Sequence, residues 1–95
     1  MRSRFSAFAV GDEAYLLRTW HSGTRPTAVG FDPGQRWRRL EILDTADGSV
    51  FHTEGVVEFR AHYSQRGRPG ALHERSRFGR DAAGAWVYLS GTQFA

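Results

Sequence analysis

The sequence predicts an α+β fold, with short N-terminal helices packed on one face of a curved antiparallel sheet. Three observations carry this. Residues 56–63 alternate with period two, placing Val57, Phe59, Ala61 and Tyr63 on one side and Glu58, Arg60 and His62 on the other, the signature of a half-buried strand. Two clusters of turn formers, Ser64–Gly70 and Asp81–Gly84, separate this strand from two more at residues 71–80 and 85–90, which makes an antiparallel meander. Helical patterning, finally, is confined to the first twenty residues, ahead of every strand, as expected when helices gather on one face of a sheet.

In chain order, residues 2–10 place Phe5, Phe8 and Ala9 on one helical stripe with Met1 and Arg4 beside it. Gly11 suits a C-terminal stop. Asp12 can cap a second helix over 13–20, whose apolar side is Tyr15, Leu16, Thr19 and Trp20. Both helices are too short to persist without packing. His21–Pro26 is a loop, and Asp32-Pro33-Gly34 a turn. Residues 37–45 alternate again, with Leu40 and Ile42 against Arg39 and Glu41, and predict the first strand.

The turns assign the faces. Asp81 followed by Gly84 suits a three-residue loop that closes on a left-handed glycine, setting Arg80 opposite Trp86 and Phe78 opposite Tyr88. Ala61 is expected opposite Glu74, and Glu58 opposite Arg77. The inner face is then Val57, Phe59, Ala61, Tyr63, Leu72, Glu74, Ser76, Phe78, Trp86 and Tyr88, with one acid among apolar, aromatic and small residues.

Ninety-five residues predict a single domain over 1–95, large enough for a core. No apolar run approaches the ~18 residues of a membrane span, and no leader pattern opens the chain. With no cysteine there is no disulfide, thiolate metal site or thiol catalysis; a cytoplasmic setting is expected. All thirteen cationic side chains are arginine, yet the net charge is only +3 because ten carboxylates are interspersed. Without aromatic residues among them, the arginines read as a solvated charged face, and a nucleic-acid partner is not expected.

At this point several runs together resemble the YchJ-like family: residues 1–8 (Met-Arg-Ser-Arg-Phe-Ser-Ala-Phe), 15–20 (Tyr-Leu-Leu-Arg-Thr-Trp), Trp37 with Leu40 and Ile42, Val57-Glu58-Phe59, 73–78 (His-Glu-Arg-Ser-Arg-Phe), and 86–88 (Trp-Val-Tyr) with Gly91. These are uncharacterised bacterial proteins whose main domain has a nuclear-transport-factor-2-like fold. The resemblance implies a cone-shaped domain whose sheet wraps a cavity closed by the N-terminal helices. It implies no activity. The Cys-rich zinc motifs usual in that family are missing, so no metal and no other cofactor is expected; Ser22 stands where the family often has proline.

Within that fold the expected pocket lining is Arg4, Tyr15, Trp20, Phe59, Tyr63, Glu74, Ser76, Phe78, Trp86 and Tyr88. His73 and Glu74 are adjacent on a strand and point to opposite faces, so they cannot serve one substrate. His62 and His73 share the outer face but lack a third ligand for a metal. Arg4 and Glu74 are expected to form a buried ion pair that fixes helix to sheet. The sequence therefore favours a non-enzymatic binding or protein-interaction module. The alternatives are an isomerase- or dehydratase-like enzyme with Glu74 as general base, and a ribosome or nucleic-acid accessory module. Val87 and Leu89, apolar on the outer face, predict a homodimer through that face; an unknown protein or small molecule is the other expected partner.

Overall fold

The computed structural model describes residues 1–94. Two helices, α1 (Arg2–Val10) and α2 (Glu13–Arg18), precede four strands, β1 (Gln35–Asp47), β2 (Glu54–Gln65), β3 (Arg68–Arg80) and β4 (Trp86–Phe94). The strands form one antiparallel sheet in the order β1-β2-β3-β4. This is the α+β meander that alternation and turn chemistry predict, with strands running two to four residues further at several ends.

The helices end where their chemistry dictates. Gly11 takes a left-handed conformation (φ 73°) and stops α1. The Asp12 carboxylate accepts from the Tyr15 amide at 3.1 Å and starts α2. Helix α2 is shorter than expected. Thr19 caps it, and residues 19–21 bridge to β4, with the Tyr88 amide donating to Thr19 O and the His21 amide to Tyr88 O, both at 2.8 Å. Along α1 the buried residues are Arg4 and Ala7, whereas Ala9, expected on the apolar stripe, is exposed.

The Asp81–Gly84 loop forms as expected. Gly84 has φ 84°, and Asp81 Oδ1 accepts from the Ala83 and Ala85 amides at 2.9 Å each. Arg80 opposes Trp86, and Phe78 opposes Tyr88. The β2–β3 register differs from expectation. Arg66 and Gly67, both with positive φ, make a two-residue turn, which is the type I′ geometry that matches strand twist. Ala61 therefore opposes Leu72, and Glu58 opposes Arg75. The slip is two residues, so every side chain keeps its predicted face. Pro69 and Gly70, read in the sequence as breakers, lie inside β3 before β4 begins to pair at His73. There Pro69 has one free flank, where a missing N–H is tolerated.

A bulge between Arg77 and Phe78 leaves Leu89 as the extra residue of β4. Leu89 folds over Gly79, and Val87 is only 4% exposed within the single chain. Of the two apolar residues expected to drive outer-face dimerisation, Val87 is thus buried within the chain and Leu89 stays half-buried, so the patch is smaller than expected. That face instead carries Glu58 with His73 (2.9 Å) and Arg75 (3.3 Å), and Glu41 with His62 (3.1 Å) and Arg60 (3.5 Å). No described helix is long and apolar enough to cross a membrane.

Candidate functional site

A pocket of about 280 Å³ opens between α1 and the inner sheet face. Its aromatic end is built by α1 and β1: Phe5 and Phe8 each meet Trp37 edge-on, at 6.1 and 6.4 Å between ring centres. Phe59, Ala61 and Leu72 form the floor from adjacent strands. Arg4, Trp20, Glu74, Tyr88 and Gln93 form the polar end.

Arg4 is 5% exposed. One of its nitrogens, Nη1, makes all its hydrogen bonds: to Thr19 Oγ1 at 2.9 Å, Leu16 O at 3.3 Å and Thr19 O at 3.5 Å. These atoms lie at the C-terminal end of α2, where carbonyls lack helical partners and the dipole favours a cation. The guanidinium also lies 4.5 Å from the Tyr88 ring centre and 5.2 Å from that of Trp20, within cation–π reach. Burial lowers its pKa from the ordinary arginine value, opposed by Tyr88, Tyr15 and Glu74.

The expected Arg4–Glu74 ion pair does not form. Arg4 turns to the α2 terminus because three oxygens converge there. Glu74 is buried as expected, at 9% exposure, but its close partner is Ser76, whose hydroxyl donates to Glu74 Oε2. The two share a face of β3, and Ser76 is fully buried beneath the carboxylate. The Tyr88 hydroxyl adjoins both. Burial, then the Glu74 charge, pushes its phenol up to about 12. Gly91, opposite Ser76, leaves room for this cluster: a Cβ there would stand 2.5 Å from Glu74 Cδ and 2.7 Å from Tyr88 Oη.

This arrangement makes a testable distinction. Glu74→Ala and Ser76→Ala should be coupled by about 0.5–3 kcal/mol in a double-mutant cycle, as groups in direct contact are. Glu74→Ala and Arg4→Ala, which meet only through Tyr88, should couple less strongly than Glu74→Ala and Ser76→Ala. Urea unfolding of the two cycles measures both, and a larger Arg4–Glu74 coupling would restore the ion pair.

Of the ten residues expected to line the pocket, Arg4, Trp20, Phe59, Glu74 and Tyr88 do so. The other five lie elsewhere. Tyr15 points along the helices, its hydroxyl donating to Ser3 Oγ at 2.7 Å. Tyr63 stacks edge-on with Trp37 at 5.4 Å and covers Gly70. Ser76 is sealed under Glu74. Phe78 and Trp86 line a second cleft, of about 310 Å³, with Val57 and Thr45. Sequence reasoning missed Met1, Phe5, Phe8, Trp37 and Gln93 as pocket residues, and placed Ala61 and Leu72 on the inner face without expecting them in the lining. Simple alternation gives Trp37 the parity of Arg39 and Glu41, and only the bulge between Trp37 and Arg39 turns it inward, while Gln93 lies in strand beyond the predicted end of β4. The Trp20 indole nitrogen is buried with no hydrogen-bond partner. Among the described residues, no three His, Cys, Asp or Glu side chains converge as metal ligands.

Residues 1–91 match the family described as the YchJ middle NTF2-like domain. The chain is 64% identical over 91 residues to a UPF0225 protein of Streptomyces coelicolor, covering 96% of this chain and 69% of that protein. It is 61% identical over 94 residues to a UPF0225 protein of Streptomyces avermitilis (99% and 64%) and 46% identical over 91 residues to one of Corynebacterium glutamicum (96% and 71%). It thus spans roughly two thirds of these relatives. No solved structure matches it. Helices on an antiparallel sheet are consistent with that description, and the chain belongs to the YchJ family through its middle, NTF2-like domain.

Proposed function

We propose that this domain is a binding module whose pocket takes a small, mainly apolar molecule bearing a carboxylate. The single observation that carries the reading is the state of Arg4. It is a buried guanidinium, held by one nitrogen, with no carboxylate paired to it, at the rim of an aromatic pocket. A planar donor fork with free positions fits a carboxylate in two-point fashion. The unpartnered Trp20 N–H belongs to the same end of the pocket, and the aromatic end receives an apolar body. The volume, about 280 Å³, suits a molecule smaller than a typical drug.

Binding is favoured over isomerase or dehydratase chemistry by Tyr88 and Glu74. A proton donor working near neutral pH needs a pKa close to that pH; Tyr88, pushed up to about 12, keeps its proton. Glu74 is tied to Ser76 of its own strand.

Trp20 and Trp37 line the pocket, so intrinsic fluorescence reports occupancy. Phenylacetate should perturb it saturably, and phenethylamine, of similar size and opposite charge, should not. Arg4→Lys keeps a cation but loses the fork, and should weaken phenylacetate about tenfold. Equal responses to acid and amine, or none to any of a series of aryl and alkyl carboxylates at millimolar concentration, would defeat the proposal.

A further inference from the structure

Two charges of opposite sign face the inner pocket without pairing. Arg4 and Glu74 are 5% and 9% exposed, and both line its polar end. Buried ions are normally paired with one another, but here each is occupied on one side only. The end of α2 takes Nη1 of Arg4, and the Ser76 hydroxyl takes Oε2 of Glu74. Among the described residues no hydrogen bond engages Nε or Nη2 of Arg4, or Oε1 of Glu74. Trp20 Nε1 is the one buried side-chain nitrogen or oxygen there without a partner. The three free atoms are therefore not sealed in the core, and the space they border is the pocket.

Tyr88 lies against both charges. Its ring centre is 4.5 Å from the Arg4 guanidinium carbon, and its hydroxyl adjoins the Glu74 carboxylate. Gln93 is exposed and stands opposite Glu74 across β3–β4, which brings a side-chain amide to the same end. Phe5, Phe8 and Trp37 make the wall beyond. One end of the cavity thus offers a cation and an anion, and the other offers rings.

We infer that the ligand is an aromatic α-amino acid, taken as its zwitterion. This rests on the carboxylate reading above and adds a second charge to it. The ligand carboxylate accepts from the free edge of the Arg4 fork, its ammonium donates to Glu74 Oε1, and its ring meets Phe5, Phe8 and Trp37. An α-amino acid carries both charges and the side chain on one carbon, so a single small molecule satisfies all three features. An amine alone would set a second cation beside Arg4 with no anion between them, so the ammonium is accepted only together with a carboxylate. Amino acids with charged side chains are excluded, because the aromatic end offers them no partner.

Tryptophan fluorescence titration of the protein tests this with three probes. Phenylalanine carries both charges, 3-phenylpropionate is the same molecule without the amino group, and phenylalaninamide keeps the ammonium but has no carboxylate. Phenylalanine should bind about tenfold tighter than 3-phenylpropionate, the gain of roughly one charge-assisted hydrogen bond, and phenylalaninamide should not bind. Glu74→Gln keeps an acceptor for Ser76 and turns an N–H donor towards the pocket. It should bring phenylalanine and 3-phenylpropionate to within about threefold of each other. Thermal unfolding checks that the variant is folded, and if it is not, the comparison of ligands on the unaltered protein still decides. Phenylalanine binding no tighter than 3-phenylpropionate, or keeping its advantage in Glu74→Gln, would overturn the amino-acid assignment and leave the carboxylate reading standing. No response to either would overturn both.

Discussion

Replacing Arg4 by alanine should destabilise the domain by about 3 kcal/mol, the largest effect expected of any single polar side chain in it. The substitution removes the donor to Thr19 Oγ1, which keeps its own bond to Tyr15 O, and leaves the Leu16 carbonyl with only a long contact of 3.4 Å from the Thr19 hydroxyl; a buried group left under-satisfied costs about 1–3 kcal/mol. It also removes a cation from between Trp20 and Tyr88, which contributes about 0.5–2 kcal/mol. For a domain of this size, 3 kcal/mol corresponds to a fall in Tm of roughly 12–24 °C. Arg4→Lys should recover part of that loss, because an ammonium still reaches the α2 terminus. A drop of less than about 1 kcal/mol for the alanine variant in urea unfolding would show that α2 closes without Arg4.

Gly91→Val should be nearly as costly, at about 2–3 kcal/mol. The first carbon of the new side chain would stand 2.5 Å from the Glu74 carboxyl carbon and 2.7 Å from Tyr88 Oη. Neither can retreat freely, since Glu74 is bonded to Ser76 and Tyr88 is bridged through its backbone to Thr19 and His21. Overpacking of this kind typically costs about 1–3 kcal/mol. The effect should be local as well as global: near-ultraviolet circular dichroism, dominated by the aromatic cluster, should change even where the far-ultraviolet signal does not. Gly91→Val with unaltered stability would mean that β4 moves away from the sheet at no cost.

Most of the fold was readable because period-two alternation survives errors in boundaries and register. The β2–β3 register was misjudged by two residues, yet Phe59, Ala61, Glu74 and Ser76 stayed on the inner face, since only an odd slip exchanges faces. The error arose at Gly67-Arg68-Pro69-Gly70, where breaker residues mark the start of β3, not yet flanked by β4, rather than a loop. The site was less readable. Parity places Glu74 and Tyr88 inside, but a choice among partners depends on which oxygens converge in three dimensions. Helical spacing brings Arg4 towards the sheet; the free carbonyls ending α2 then take it. The bridging of residues 19–21 to β4 has no signal in local periodicity, because a single parallel bridge leaves no repeating pattern. Leu89 was likewise placed by alternation on a face where a bulge makes it an extra residue.

That bridge has a bearing on how the protein is made. Each strand pairs with the next in sequence, so the sheet can grow hairpin by hairpin as the chain leaves the ribosome. Residues 19–21 cannot join it on the same schedule. Thr19 and His21 bond to Tyr88, which is synthesised about 70 residues later, a delay on the order of 4–14 s at ordinary elongation rates. Until then α1 and α2, each too short to hold itself, have no β4 to close against, and the Trp20 ring that will line the pocket faces water. Helix α1 can meet Trp37 of β1 early, whereas the bridge from residues 19–21 to β4 must be among the last contacts to close.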